Sequence, residues 1–290
     1  MLNSGQAPGA SGQWNRGLGP ETGAQHRSDV YMAPEILRPA SVLSAAEHEL
    51  EAVPEKIHFS DAPPAGPGPP APGPYGSGPC TVRDLGRLRY ADAFAVQQDF
   101  VARRKAEEIP DQLLFVEHPH VITLGRSAHS ENILASQEIL ERSGIELHHT
   151  DRGGDVTYHG PGQVVGYPIV DLRKWKRDVM AYVRGLEQVL IDALREFGIA
   201  SERVQGATGV WTPAGKIAAI GVHISRWVTS HGFALNVETD LDYFRYIVPC
   251  GLTKPVTSMR ALGVNATSAE VTAALARNFG RVFDREMEIL

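Results

Sequence analysis

The chain has 290 residues, is 42% hydrophobic and 21% charged, and carries a formal net charge of −6 with only two cysteines. Two cysteines exclude a disulfide framework, and the mild acidic balance excludes a general nucleic-acid field. No apolar run approaches the ~18 residues that a spanning helix needs, and no secretory signal is present, so the expectation is a soluble cytoplasmic protein with neither nucleic-acid nor membrane partners.

Residues 1–80 hold 8 acidic and 4 basic side chains, so four of the six net negative charges lie there. This stretch has few aromatics and closes in a run of proline, glycine and alanine from Asp61 to Pro79. Such a composition cannot bury enough apolar surface to offset its ordering entropy. Residues 1–79 are therefore expected to be a disordered tail ending in a polyproline-like spacer. Its acid-rich balance is the reverse of a mitochondrial transit peptide. Residues 80–290 are expected to form the folded domain, with Cys250 as its only cysteine and Cys80 at the tail boundary.

Tyr90, Phe94, Gln97 and Val101 follow helical spacing up to a stop at Pro110. Residues 113–116 and 121–124 read as two strands around a turn containing His118, Pro119 and His120, and residues 164–170 as a further strand. Met180, Val183, Leu186, Leu190, Leu194 and Phe197 make a long helix with Gly198 as its stop. Strands return at 209–211, 216–224 and 232–237. Thr267 with Glu270 forms a capping box for a last helix carrying Val271, Leu275, Phe279 and Val282. Without strict strand and helix alternation, a doubly wound sheet is disfavoured and the fold class is α+β.

Three features carry chemistry. Cys250 lies between Pro249 and Gly251, where the chain must bend and a second molecule can approach the backbone, as a thiolate nucleophile requires; buried packing is the competing reading. The stretch Arg152, Gly153, Gly154, Asp155, Val156, Thr157, Tyr158, His159, Gly160, Pro161, Gly162, Gln163 is either a backbone-lined cradle or a structural hairpin, and matches neither a P-loop nor a dinucleotide fingerprint. Lys216 opens a strand in which Lys216, Ala218, Ile220, Val222 and Ile224 share one face, so its amine either snorkels from the strand end or is held inside for a purpose. The pairs His118 with His120 and His148 with His149 lack the further ligands that zinc needs, so no metal site is expected. Basic clusters at Arg103, Arg104 and Lys105, and at Arg173, Lys174, Lys176 and Arg177, read as solvated helix faces, the second alternatively as a rim for an acidic partner.

Taken together, the motifs resemble the lipoyl(octanoyl) transferases. The resemblance spans residues 113–290 and rests on His118-Pro119 with Thr123-Leu124-Gly125-Arg126, the arginine and glycine loop, Gly215-Lys216-Ile217-Ala218-Ala219-Ile220-Gly221-Val222, His231-Gly232-Phe233-Ala234-Leu235-Asn236, and Val248-Pro249-Cys250-Gly251-Leu252 followed by Val256-Thr257-Ser258. It implies a mixed-sheet domain of the lipoate and biotin protein ligase catalytic type. It also implies that Cys250 is the acyl-thioester nucleophile and Lys216 its partner. The substrate is then expected against Arg152, Gly153, Gly154, Asp155, Val156, Thr157, Tyr158 and His159, against Ala219, Ile220 and Gly221, and against Gly232, Phe233 and Ala234. The implied donor is octanoyl-acyl-carrier protein, which brings its own phosphopantetheine, so the enzyme needs no cofactor. The implied acceptors are lipoyl domains of 2-oxoacid dehydrogenase complexes and the glycine cleavage H protein. An ATP-dependent ligase is the alternative within the fold, and a non-catalytic lipid-binding module the alternative outside it. The long tail is not part of the resemblance. Deleting residues 1–79 is expected to leave turnover and melting temperature nearly unchanged, a comparison that activity assays and thermal melts of the two lengths decide.

Overall fold

The computed structural model describes residues 78–248 and 255–290. Cys250 and residues 1–77 lie outside the described residues. In chain order the described elements are β1 (Gly78–Arg87), α1 (Tyr90–Lys105), β2 (Asp111–Glu117), β3 (Val121–Leu124), α2 (Gln137–Arg142), β4 (Glu146–His149), β5 (Val156–His159) and β6 (Gln163–Ile169). There follow α3 (Val179–Glu196), β7 (Glu202–Val204), β8 (Ala207–Thr212), β9 (Gly215–Ser225), β10 (Val228–Asn236), α4 (Ser268–Phe283) and β11 (Arg285–Ile289).

These strands build two sheets. The larger runs β11-β1-β2-β6-β10-β9-β8-β7 and the smaller β4-β3-β5. The β11-β1-β2 edge is parallel and the rest of the larger sheet is antiparallel, which makes the fold α+β with a mixed sheet. Period-2 alternation sorts the larger sheet's side chains onto two faces. Leu113, Phe115, Phe233 and Leu235 pack with Leu186, Leu190, Leu275 and Phe279 of α3 and α4. Leu114, Val116, Val165 and Ala234 pack on the other face with Ala93 and Val101 of α1. The smaller sheet has its own core, in which Ile122, Leu124, Val156 and Tyr158 meet Phe244 and Ile247.

Helix ends follow their local chemistry. The Thr267 hydroxyl accepts from Glu270 N while the Glu270 carboxylate accepts from Thr267 N, so both halves of the capping box are present. Gly198 follows α3 with a φ of +75°, a left-handed turn that costs glycine nothing. The first helix stops at Lys105, five residues before Pro110, where Glu107 takes a φ of +61°.

Three expectations require correction. First, β1 spans Gly78–Arg87, and Gly78 and Pro79 pair with Arg285 and Glu286, so these two residues belong to the folded region rather than to the expected tail. Cys80 is fully buried within β1, its thiol pushed up by burial, and Cys250 is thus not the only cysteine of the folded region. A truncation that tests the tail should begin at Gly78. Second, β2 and β3 are not a hairpin: β2 pairs with β1 and β6 in the larger sheet, whereas β3 pairs with β4 and β5. Third, Arg104 is buried rather than solvated.

Arg104 belongs to a charged knot that joins α1 to both ends of the fold. Its Nε donates to Asp111 Oδ1 at 2.8 Å, Arg285 Nε donates to Asp111 Oδ2 at 2.8 Å, and Asp171 N donates to Asp111 Oδ1 at 3.0 Å. Breaking a buried pair from one side leaves uncompensated charge and costs about 3–5 kcal/mol. Asp111→Ala, which strands two buried guanidinium groups, is expected to lose that much, read as a lowered urea midpoint with the slope unchanged.

Candidate active site

The site grows from a β-bulge. Val210 pairs with Ala218, but Trp211 pairs with Lys216, so β9 carries one extra residue, Ile217, at that point. One residue of slip reverses side-chain direction. Ile217 and Ala218 both join the helix-side core, while Lys216 turns to the opposite face with Trp211. This overturns the expected single face of Lys216, Ala218, Ile220, Val222 and Ile224. Lys216 is buried, at 7% exposure, with its Nζ 4.7 Å from the centre of the Trp211 ring, whose negative face attracts an ammonium.

The Lys216 backbone is held on both sides. Lys216 N donates to Pro255 O at 2.9 Å and Thr257 N donates to Lys216 O at 2.9 Å, a short parallel bridge. Pro255 comes that close only because residue 215 is glycine: its φ is +142°, and a Cβ there would meet the Pro255 carbonyl. On the other side, Val248 N donates to Asn132 O at 2.8 Å. The described residues flanking Cys250 are thus tied to the Lys216 strand and to Asn132.

The glycine loop is stitched to the larger sheet. Gly153 N donates to Val222 O at 2.9 Å, and a Cβ on Gly221 would lie 2.9 Å from Gly153 O. The Arg152 guanidinium is buried and donates to Thr123 O at 2.7 Å and Thr123 Oγ1 at 2.9 Å. It braces the loop against β3. Asp155 accepts from Val156 N at 2.8 Å and from Asn132 Nδ2, linking the loop to the residue that holds Val248.

Between the sheets lies a cleft lined by Thr157, Gln163, Lys216, Ala218, Ala219, Ala234, Asn236, Phe244 and Val256. Four of the expected site residues, Thr157, Lys216, Ala219 and Ala234, meet there. Small side chains at 219 and 234, which pair across β9 and β10, leave the room. Gly153 and Gly221 form the loop-to-strand contact beside it, while the Gly154 carbonyl accepts from Ser127 N, after β3. Val156 and Tyr158 point into the small sheet's core, and Tyr158 OH meets His120 Nδ1 at 2.8 Å. Ile220 and Phe233 pair across the strands and face the helices, the Phe233 ring lying over Gly166, and Gly232 packs against the Gly166 carbonyl. His159 is buried beside the cleft, its Nδ1 2.7 Å from Gln163 Oε1.

Burial holds the nearby imidazoles neutral: it lowers His159 to about 3 and His118 to about 4. Among the described residues no group of three or more His, Cys, Asp or Glu is placed to hold a metal. Of the basic cluster at 173–177, Arg173 bonds Asp171 at 2.7 Å, Lys174 bonds Glu107 at 3.0 Å and Lys176 bonds Asp178 at 3.4 Å, so most of its charge is already answered. The sequence reading of the site missed Phe244 as a wall of the cleft. No motif surrounds Phe244, and only the 3₁₀ turn Leu241–Tyr246 brings it in.

Residues 89–280 match the family model of the lipoyl protein ligase A/B catalytic domain. The fold agrees. A crystal structure of lipoate-protein ligase A with ATP superposes with a TM-score of 0.61 at 17% identity, covering 74% of this chain and 89% of that one. The bipartite lipoate protein ligase of Thermoplasma acidophilum superposes with a TM-score of 0.60, also at 17% identity, over 74% and 88% of the two chains. The chain belongs to the lipoyl protein ligase A/B catalytic-domain family. Within it the sequence stands with the octanoyltransferases: it is 64% identical to that of Solibacter usitatus over 208 residues, covering 72% of this chain and 94% of that protein. It is 56% identical to that of Koribacter versatilis, over 71% of this chain and 85% of that protein. The protein is an acyltransferase that transfers octanoyl groups in protein lipoylation.

Gly221→Ala tests the loop-to-strand contact. The added methyl displaces the Gly153 carbonyl, at an overpacking cost of about 1–3 kcal/mol, and carries the loop away from the cleft. Octanoyl transfer is expected to fall at least about tenfold in kcat/KM, with the variant still folded by circular dichroism.

Proposed function

We propose that the enzyme takes octanoyl from octanoyl-acyl-carrier protein onto Cys250 as a thioester and passes it to a lysine of a lipoyl domain, with Lys216 as the partner of the thiol. The observation that carries this reading is the double backbone tether of Lys216 to Pro255 and Thr257, the described residues that follow Cys250 in the chain. The acceptors are the lipoyl domains of 2-oxoacid dehydrogenase complexes and the glycine cleavage H protein, met in the cytoplasm. The donor's phosphopantetheine is part of the substrate, and the enzyme requires no cofactor of its own.

A thioester donor already holds the free energy of the amide to be made, so an enzyme thioester conserves it without ATP. Near an unperturbed pKa of ~8.5 only ~3% of a thiol is ionised at pH 7, and an ammonium that lowers it by ~2 units raises that about 25-fold. Nucleophilicity falls with pKa at a slope of ~0.4–0.5, which removes about tenfold of the gain. Charge pairing alone is therefore a weak reason to keep a lysine here. Its second role is proton transfer: once Cys250 is acylated, Lys216 in its neutral form accepts the proton that the attacking amine must lose. The C–N bond forms as the C–S bond breaks, and the cysteine leaves as thiolate.

Cys250→Ser is expected to abolish transfer with the fold intact, because a hydroxyl is far harder to ionise than a thiol and the ammonium form of Lys216, which stabilises a thiolate, accepts no proton from it. Intact mass after incubation with octanoyl-acyl-carrier protein checks the step: wild type gains one octanoyl group on Cys250 and the serine variant gains none. Lys216→Arg keeps a positive charge but cannot act as a base at a pKa above ~12. It is expected to form the octanoyl-enzyme and then to pass the group on slowly, measured by single-turnover mass of enzyme and acceptor. Transfer at the wild-type rate removes the base role.

A further inference from the structure

Three side-chain groups, His159, Gln163 and Asn236, form a hydrogen-bonded chain that ends on a backbone carbonyl, and that end decides the direction of every bond. Thr257 O only accepts, so Asn236 presents Nδ2 to it at 3.0 Å and turns Oδ1 toward Gln163. Gln163 must answer with Nε2, which donates to Asn236 Oδ1 at 2.9 Å and to Tyr158 O at 3.3 Å. Its Oε1 is then left facing His159 Nδ1 at 2.7 Å. An oxygen in that place requires a proton on Nδ1. His159 is thereby fixed as the Nδ1–H tautomer and its Nε2 carries a lone pair, without a hydrogen-bond partner among the described residues.

The face on which the imidazole lies follows from the strand. Along β5, Val156 and Tyr158 point into the small sheet's core, so Thr157 and His159 share the other face, and Thr157 lines the cleft that holds Lys216. The far end of the chain, Thr257, is the residue whose N–H holds the Lys216 carbonyl. One run of side-chain amides therefore connects the two cleft walls.

We propose that Gln163 and Asn236 are positioning residues that hold His159 as a fixed neutral acceptor for the N–H of the attacking amine, opposite the lysine that takes the amine's proton. This rests on the reading of Cys250 and Lys216 given above and deepens it. His159 orients the nucleophile and does not deprotonate it. Burial places its imidazole far below an amine in basicity, and His118, Arg152 and His231, which face it from the β2–β3 turn, the glycine loop and β10, disfavour its cation further. Transfer by the wild-type enzyme therefore carries no titration of His159 between pH 5 and 8.

Two measurements test this on the full chain. In a long-range ¹H–¹⁵N spectrum at neutral pH, with His159 assigned by its loss in His159→Gln, the wild-type imidazole is expected to show a protonated Nδ1 and a bare Nε2. An Nε2–H or mixed pattern overturns the proposal, and this readout needs no positioning variant to fold. The second measurement is single-turnover transfer from octanoyl-enzyme to a lipoyl domain by Gln163→Glu and Gln163→Met. A carboxylate facing Nδ1–H raises the imidazole pKa, and the cation has no lone pair at Nε2. Gln163→Glu is therefore expected to transfer about 10–100-fold more slowly with a new limb, activity falling as pH is lowered. Gln163→Met is expected to be slower with no such limb, and in both variants transfer to the lipoyl domain should fall by a larger factor than formation of octanoyl-enzyme. Equal pH-independent losses in the two variants, or equal losses in both half-reactions, overturn the assignment. Failure of wild type to form an octanoyl-enzyme would instead sink the Cys250 reading and leave the tautomer result standing.

Discussion

The backbone of Lys216 is where the parts of this enzyme meet. One extra residue in β9 turns its side chain out of the helix-side core and into the cleft, and two 2.9 Å hydrogen bonds fasten Pro255 and Thr257 along its outer edge. A bulge is a local defect in a ladder, but here it separates two needs that regular pleating would set against each other. Ile217 and Ala218 stay in the core with α3 and α4 while their neighbour faces the other way. The absence of a Cβ at Gly215 lets the returning chain lie against that strand.

Around this seam the fold keeps charge in two different ways. Far from the cleft, Arg104, Asp111, Asp171 and Arg285 are buried as a mutually bonded set, so the terminal strand and the first helix are joined by paired ions. Beside the cleft, His118 meets Tyr167 OH at 2.7 Å and His159, Gln163 and Asn236 satisfy one another as a neutral network, while the buried Arg152 guanidinium is bonded to Thr123. The neutral network adds no charge of its own beside Lys216.

Local rules made much of the fold readable. The spacing of Leu186, Leu190 and Leu194, the capping box at Thr267 and the glycine after α3 each state a preference that neighbouring residues suffice to express, and tertiary packing agrees with them. The assignment of β2 and β3 to different sheets was not readable, because strand partnership depends on residues far away in the chain. Nor was the burial of Cys80: a cysteine after a proline-rich run looks like the edge of a tail until β11, from the other end of the chain, pairs beside it.

By itself the sequence determined the chemistry on offer: a cysteine in a turn, a lysine opening a strand, a glycine loop, and enough shared motifs to place the chain among octanoyltransferases. These are properties of residue type and spacing, which the covalent chain carries. Only the tertiary structure decided which way those residues face. Alternation put Lys216 with Ala218, and one inserted position in a ladder reversed it, a slip that depends on how β8 registers against β9 and that period-2 patterning cannot reveal. The tautomer of His159 was likewise hidden, since it is dictated by the Thr257 carbonyl, 98 positions later in the chain and brought near by the folding of four separate segments.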